Sequence, residues 1–336
     1  MDAEKTKFEY KTEIFTGIRP TGSLTAANFL GAIKPILDLQ KKEASILVFI
    51  ADLHALTDNE PSVVKKYCLE VVADYIALGI DPAKTKIFLQ SEIENEVMVM
   101  SAFLARHTNV SELLRVPTLK DKLKNNARPE TANALLFLYP VIMAADILLQ
   151  RAKLVPVGED QLAHIEMTRE LARRFNKKYG PVFAEPKALQ TESLRILSLK
   201  GESKMSKSEP AGAIFLMDDP EIAAKKIKTA ETAFEGIMNQ RLESHILTAK
   251  GLCKTEDEKK AIDAVIEDHK KGKAVMGEFK RQFTRAATNF LQEFQTKRKK
   301  IISDQKYLSS VLEQGKKIAQ ANARETLELA KQALYR

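Results

Sequence analysis

The segment Ser45-Ile46-Leu47-Val48-Phe49-Ile50-Ala51 is apolar at almost every position. A strand with one wet face alternates polar and apolar residues, so a run without alternation fits a strand covered on both faces, as in a parallel sheet. Parallel neighbours are joined by crossovers, usually helices, and this run therefore predicts a helix on either side of it. Both are legible. Glu13-Ile14-Phe15-Thr16 makes a first strand, closed by Gly17 and the turn-rich Arg19-Pro20-Thr21-Gly22. A helix follows from about Thr25, with Phe29, Ile33 and Leu37 at four-residue spacing, although Pro35 weakens the middle of the pattern. Asn59 and Pro61 open the next helix, whose stripe is Val64, Cys68, Val71, Tyr75 and Leu78. Gly79-Ile80-Asp81-Pro82 ends it, and Lys86-Ile87-Phe88-Leu89-Gln90 is a third strand.

This alternation predicts an α/β chain built on a doubly wound, Rossmann-like parallel sheet, with ligands beyond the carboxyl ends of the strands. From about Ile93 to Gln150 the pattern turns helical, an insertion before the sheet resumes at Leu154-Val155-Pro156-Val157 and Leu194-Arg195-Ile196-Leu197-Ser198-Leu199. Beyond Asp218 it is helical throughout. A length of 336 residues suits two domains. The expected division is a nucleotide-binding catalytic domain over 1–215, with a helical insertion over about 93–190, and a helical domain over 216–336. Residues 216–336 carry 24 Lys and Arg against 18 Asp and Glu, whereas 1–215 carry 29 against 27. A basic helical region suits a polyanion such as RNA, and equally an ordinary solvated surface. Lys297-Arg298-Lys299-Lys300 fits a solvated helix end better than a binding patch.

With 44% hydrophobic and 29% charged residues, the chain is neither disordered nor collagen-like. It contains no run of about 18 apolar residues that could span a membrane. Met1-Asp2-Ala3-Glu4-Lys5 lacks a signal peptide's apolar run, and two distant cysteines, Cys68 and Cys253, make neither a zinc spacing nor a disulfide framework. A reducing, cytoplasmic setting is expected.

Three segments carry chemistry. Thr16 to Asn28 brings small residues and a helix N-terminus after the first strand, where backbone can approach phosphate; it is neither G-x-G-x-x-G nor a Walker loop. Lys204-Met205-Ser206-Lys207-Ser208 sets two ammonium groups three residues apart, a clamp able to follow a departing pyrophosphate. Val155-Pro156-Val157-Gly158-Glu159-Asp160-Gln161 places a glycine and two carboxylates after a strand, which suits a ribose. Just upstream, Asp146 lies inside apolar Met143-Ala144-Ala145-Asp146-Ile147-Leu148-Leu149. A charge there needs a partner: either a cap or arginine of its own chain, or one polar hydrogen of an otherwise apolar ligand.

Together these segments resemble the class I aminoacyl-tRNA synthetases, whose two signatures are the first loop and Lys204–Ser208. The segments at 143–149 and 155–161, with Ala51-Asp52-Leu53-His54-Ala55-Leu56-Thr57, resemble the bacterial-type tryptophanyl-tRNA synthetases. The resemblance runs from about Phe15 to Pro220 and returns more loosely from Gly277. It implies activation of L-tryptophan by ATP, with magnesium carried on the nucleotide rather than held by protein ligands. Tryptophan then passes from the adenylate to the 3′ end of its tRNA. Arg19, Pro20, Thr21, Ala27 and Asn28 would line the ATP phosphates and adenine. Gly158, Glu159 and Asp160 would hold the ribose, and Ile196 the adenine through its backbone. Lys204, Met205, Ser206, Lys207 and Ser208 would follow the pyrophosphate, with Thr25 and Asn28 completing the catalytic set. Asp146 would accept from the indole N–H, walled by Phe15, Met143, Val155 and Val157. Tyr139 and Gln161 would meet the amino-acid end, with His54 nearby. The resemblance further implies a homodimer through about 93–190, whose Leu135-Leu136-Phe137-Leu138 must bury somewhere, and anticodon binding by 216–336.

Two departures stand out. The family has a glycine where this chain has Ala27, whose methyl would crowd adenine. The Pro-Gly turn expected within 236–254 is not recognisable. The rivals are the tyrosine-specific sister enzyme, and a paralogue that binds RNA or a small ligand without charging tRNA. Ala27 favours the paralogue; the intact Lys204–Ser208 signature opposes it.

Overall fold

The computed structural model describes residues 9–42, 44–126, 132–190 and 195–336; the side chains of 122, 124–126 and 160 are excluded. Met1–Lys5, Leu194 and the Asp160 side chain therefore lie outside the described residues. Among these residues the sheet has five parallel strands: β1 Thr12–Ile18, β2 Ile46–Ile50, β3 Thr85–Leu89, β4 Ala152–Val157 and β5 Lys187–Gln190, in the order β3-β2-β1-β4-β5. The order reverses between β1 and β4, which opens a crevice beyond their carboxyl ends.

Every residue of β2 is buried, as its unbroken apolar sequence requires. Side chains alternate across the sheet. Ile14, Ile46, Val48, Ile50 and Ile87 enter one core, and Phe15, Leu47, Phe49, Phe88 and Val155 enter the other.

The helices follow in chain order. Thr25 caps α1 (Ala26–Asn28), which runs through a π turn (Phe29–Ile33) into α2 (Lys34–Gln40). The π turn closes with the Lys34 amide donating to the Phe29 carbonyl, one residue ahead of Pro35, which has no N–H to donate. Next come α3 (Asp52–Ala55) and α4 (Pro61–Ala77), with Pro61 opening α4 and Val64, Cys68, Val71 and Tyr75 buried. The insertion holds α5 (Glu94–Ala105), α6 (Val110–Leu113), α7 (Pro117–Asn126) and α8 (Ala134–Leu149), followed after β4 by α9 (Leu162–Tyr179). The rest is α10 (Pro220–Lys228), α11 (Gln240–Leu252), α12 (Glu256–Lys270), α13 (Met276–Ser303) and α14 (Gln305–Leu334). No helix of the described residues is long and apolar enough to cross a membrane.

Two sequence expectations are corrected. The described part of the strand expected at 194–199, residues 195–199, is no strand. Ile196, Leu197 and Leu199 are buried, but the backbone amides of Leu197, Ser198 and Leu199 donate to the Ser244 hydroxyl and to the Ser203 and Gly212 carbonyls. The fifth strand is instead the polar, partly exposed Lys187–Gln190, whose side chains carry no apolar signal. Arg298 is not a solvated lysine-run residue: its side chain is 12% exposed and bonds Asp74 and, at 3.2 Å, Glu70, tying α13 to α4. The apolar run of α8 divides, Leu136 being buried and Leu138 exposed.

β3 is an edge strand, and α14 crosses it. Gly315 makes that approach possible, since a β-carbon there would come within 2.0 Å of the Ile87 carbonyl oxygen. The helix thus covers an edge that would otherwise invite pairing.

Candidate active site

A cavity of about 420 Å³ opens at the carboxyl ends of β1, β2 and β4. Phe15, Met143, Val155 and Val157 line it, as the sequence suggested, with Phe49, Ile147 and Pro156. Phe15 stacks on Phe49 with ring centres 4.9 Å apart, so β1 and β2 together present a flat aromatic wall. Gly17 permits this packing, because a β-carbon there would strike the Phe49 ring.

His54, Tyr139 and Gln161 also face the cavity. Asp146 lies one layer back, 1% exposed and not among the lining residues. Its Oδ2 is 2.9 Å from His54 Nε2, and Gln90 Nε2 donates to both its oxygens at 2.9 and 2.7 Å. Burial raises the Asp146 carboxyl above its ordinary range, opposed by the bonds from His54 and Gln90. These three contacts leave acceptor capacity on the carboxylate, which can take about four hydrogen bonds.

A second polar group lines the cavity beside His54, whose ring centre is 6.5 Å from that of Tyr139. The Tyr139 hydroxyl is 2.6 Å from Thr118 Oγ1 and 3.0 Å from His164 Nε2, and burial raises its pKa. Thr118 and His164 line the cavity and were missed by sequence reasoning. His164 was detectable in principle, since it lies three residues after Gln161. Gln90 was also missed, although it directly follows β3, where ligand-facing residues gather.

The nucleotide signatures divide. Arg19 lines the cavity and is anchored by Asp58, with Thr57 Oγ1 at 3.5 Å; Gly158 lines it too. Thr25 and Asn28 bond each other as a capping box: Asn28 Oδ1 accepts from the Thr25 amide at 3.0 Å, and Thr25 Oγ1 accepts from the Asn28 amide at 3.3 Å. They shape the helix start rather than face the cavity. Pro20 is buried, Thr21 half-buried, and Ala27 packs against the first core. Glu159 is exposed beside Gly158. The Ile196 carbonyl accepts from the Met205 amide at 2.9 Å, which moors the second signature.

Within that signature Met205 is buried, Lys204 and Ser208 are exposed, and the Ser206 and Ser208 hydroxyls lie 2.8 Å apart. Lys207 Nζ donates to the Thr21 and Gly22 carbonyls at 3.1 and 2.9 Å, pulling the two signature loops together. Burial lowers the Lys207 pKa; Asp74 opposes that fall and Arg19 adds to it.

An apolar cavity flanked by a cation-bearing loop, at the switch point of a doubly wound sheet, defines a nucleotide-using enzyme of the α/β class. Residues 6–292 match the family model of the tRNA synthetases class I (W and Y), and the chain belongs to that family of aminoacyl-tRNA ligases. It is 36% identical over 334 residues to the tryptophan–tRNA ligase of Halalkalibacterium halodurans, covering 96% of this chain and 98% of that protein. Its fold matches the tryptophanyl-tRNA synthetase of Mycoplasma pneumoniae with a TM-score of 0.85 at 33% identity, over 97% of this chain and 98% of the other. The Campylobacter jejuni enzyme, solved with ADP and tryptophan, matches with a TM-score of 0.81 at 31% identity, over 97% and 100%.

Proposed function

We propose that this chain is a tryptophan–tRNA ligase. It activates L-tryptophan with ATP and passes the tryptophanyl group to the 3′ end of its tRNA. The observation that carries this reading is the cavity itself: aromatic and aliphatic walls with one buried carboxylate behind His54. The indole ring has a single N–H donor, and a site built to satisfy it rejects rings that lack it by several powers of ten.

In the first step a tryptophan carboxylate oxygen bonds the α-phosphorus of ATP and pyrophosphate leaves. The residues contribute position and charge rather than a covalent nucleophile. Arg19 meets the phosphates, while Lys204 and Lys207 follow the departing pyrophosphate. Gly158, Glu159 and Asp160 hold the ribose, and Tyr139 and Gln161 hold the amino-acid end. Magnesium would be carried by the phosphate oxygens of ATP and would offset their charge.

Residues 216–336 are proposed as the tRNA-facing domain, and 93–190 as the contact of a homodimer. Charging tests the whole reading. Tryptophan tRNA, ATP and labelled tryptophan should yield labelled tRNA. Tryptophan activation without charging would instead identify a paralogue that stops at the adenylate.

A further inference from the structure

We infer that Gln90 is a positioning residue for indole recognition, holding the His54 backbone and the Asp146 carboxylate in one register. This rests on the reading of Asp146 as the indole acceptor. Gln90 is fully buried at the end of β3. Its Oε1 accepts from the His54 amide at 3.2 Å while its Nε2 donates to both Asp146 oxygens. One side chain therefore satisfies two opposite demands, an acceptor for a backbone N–H and a donor for a carboxylate. A carboxamide meets both at once; an ionised glutamate would offer only acceptors, and a methionine no donor.

The consequence is orientational. A carboxylate gripped by both oxygens cannot turn about its Cβ–Cγ bond without losing a bond to Gln90, so its open lone pair points one way. The same amide fixes the start of α3, which carries His54 to the cavity wall. The charged and titratable groups around Gln90 are His54 and Asp52 on α3, Asp146 on α8, Glu92 in its own turn, and Lys316 of α14, 3.9 Å from Glu92.

The test compares tryptophan with benzothienylalanine, in which sulfur replaces the indole N–H, by amino-acid-dependent ATP–pyrophosphate exchange. Gln90→Met should lower the preference for tryptophan in kcat/KM about tenfold. Asp146→Ala serves as the reference. If Asp146→Ala shifts the preference and Gln90→Met does not, the positioning role is overturned while the carboxylate reading stands. If neither shifts it, both fall.

Gln90→Glu covers the case in which the methionine variant fails to fold. Two facing carboxyl groups share one proton, and the protonated acid can imitate the amide. Exchange by Gln90→Glu should therefore fall as pH rises through the titration of the pair, a limb additional to any that Lys207 gives both proteins. Superimposable pH profiles would contradict the inference.

Discussion

Burial and hydrogen bonding pull the Asp146 carboxyl in opposite directions, and burial is the larger effect. A carboxyl whose folded pKa is raised keeps its proton in the folded state after the unfolded chain has released it. Stability then declines as pH rises from the ordinary value of 3.8 through the raised one. A tenfold change in an acid constant between the folded and unfolded chain is worth about 1.4 kcal/mol. Asp146→Asn carries no ionisable group there, so its melting temperature relative to wild type should climb across that window and then level. A difference independent of pH would contradict this. Lys207 shows the converse case. Burial lowers its pKa below 10.5 in the free protein, whereas ATP phosphates favour the charged form. ATP affinity should therefore weaken as pH rises through the lowered value, with proton uptake on binding at alkaline pH. Calorimetry in buffers of different ionisation enthalpy reads that uptake directly, and Lys207→Met should abolish it. At this scale Phe15, His54, Tyr139, Met143, Val155, Val157 and Gln161 were legible through the resemblance of their segments to the tryptophanyl-tRNA synthetases, and all seven line the cavity. The sequence left Thr118, His164 and Gln90 hidden, because polar residues that serve one another look in sequence like any other surface residue.

Among the elements, α14 depends on one position. A Gly→Ala change inside a helix ordinarily gains about 1 kcal/mol. Gly315→Ala should reverse that sign, since its methyl would meet the Ile87 carbonyl at 2.0 Å. Relieving such a clash costs about 1–3 kcal/mol. Denaturant melts of the variant should show a lower midpoint; an unchanged or higher midpoint would mean that α14 does not sit this closely on β3. Element legibility followed burial. The fully buried β2 announces itself, and α4 is legible from its four-residue stripe and Pro61. The edge strand β5 buries little and gives no period, while Ile196 and Leu197 look like a strand although side-chain and loop partners satisfy their backbone.

Across the whole molecule, the helices after residue 216 serve both the catalytic fold and an outer surface. Arg298 reaches α4, and α14 joins both cores, so this region is built into the sheet's support. Its outward side carries a groove of about 630 Å³ between α10 and α13, lined by Lys225, Lys228, Lys280, Arg281 and Arg285. If tRNA phosphates lie along it, the double variant Lys225→Ala, Arg285→Ala should raise the KM for tRNA while sparing ATP–pyrophosphate exchange. The logarithmic salt dependence of tRNA binding should become shallower by about one per cation removed. Equal losses in charging and exchange would show instead that the change damages the catalytic fold.

The central claim is that the cavity selects tryptophan for attack on ATP. Exchange of labelled pyrophosphate into ATP, measured with tryptophan, tyrosine and phenylalanine in turn, tests it most directly. The account predicts saturable exchange with tryptophan and a kcat/KM lower by several powers of ten for phenylalanine, which has no donor. For tyrosine, whose hydroxyl donates but whose ring differs in shape, kcat/KM should also be lower. Exchange that follows tyrosine, or none with any of the three, would contradict it.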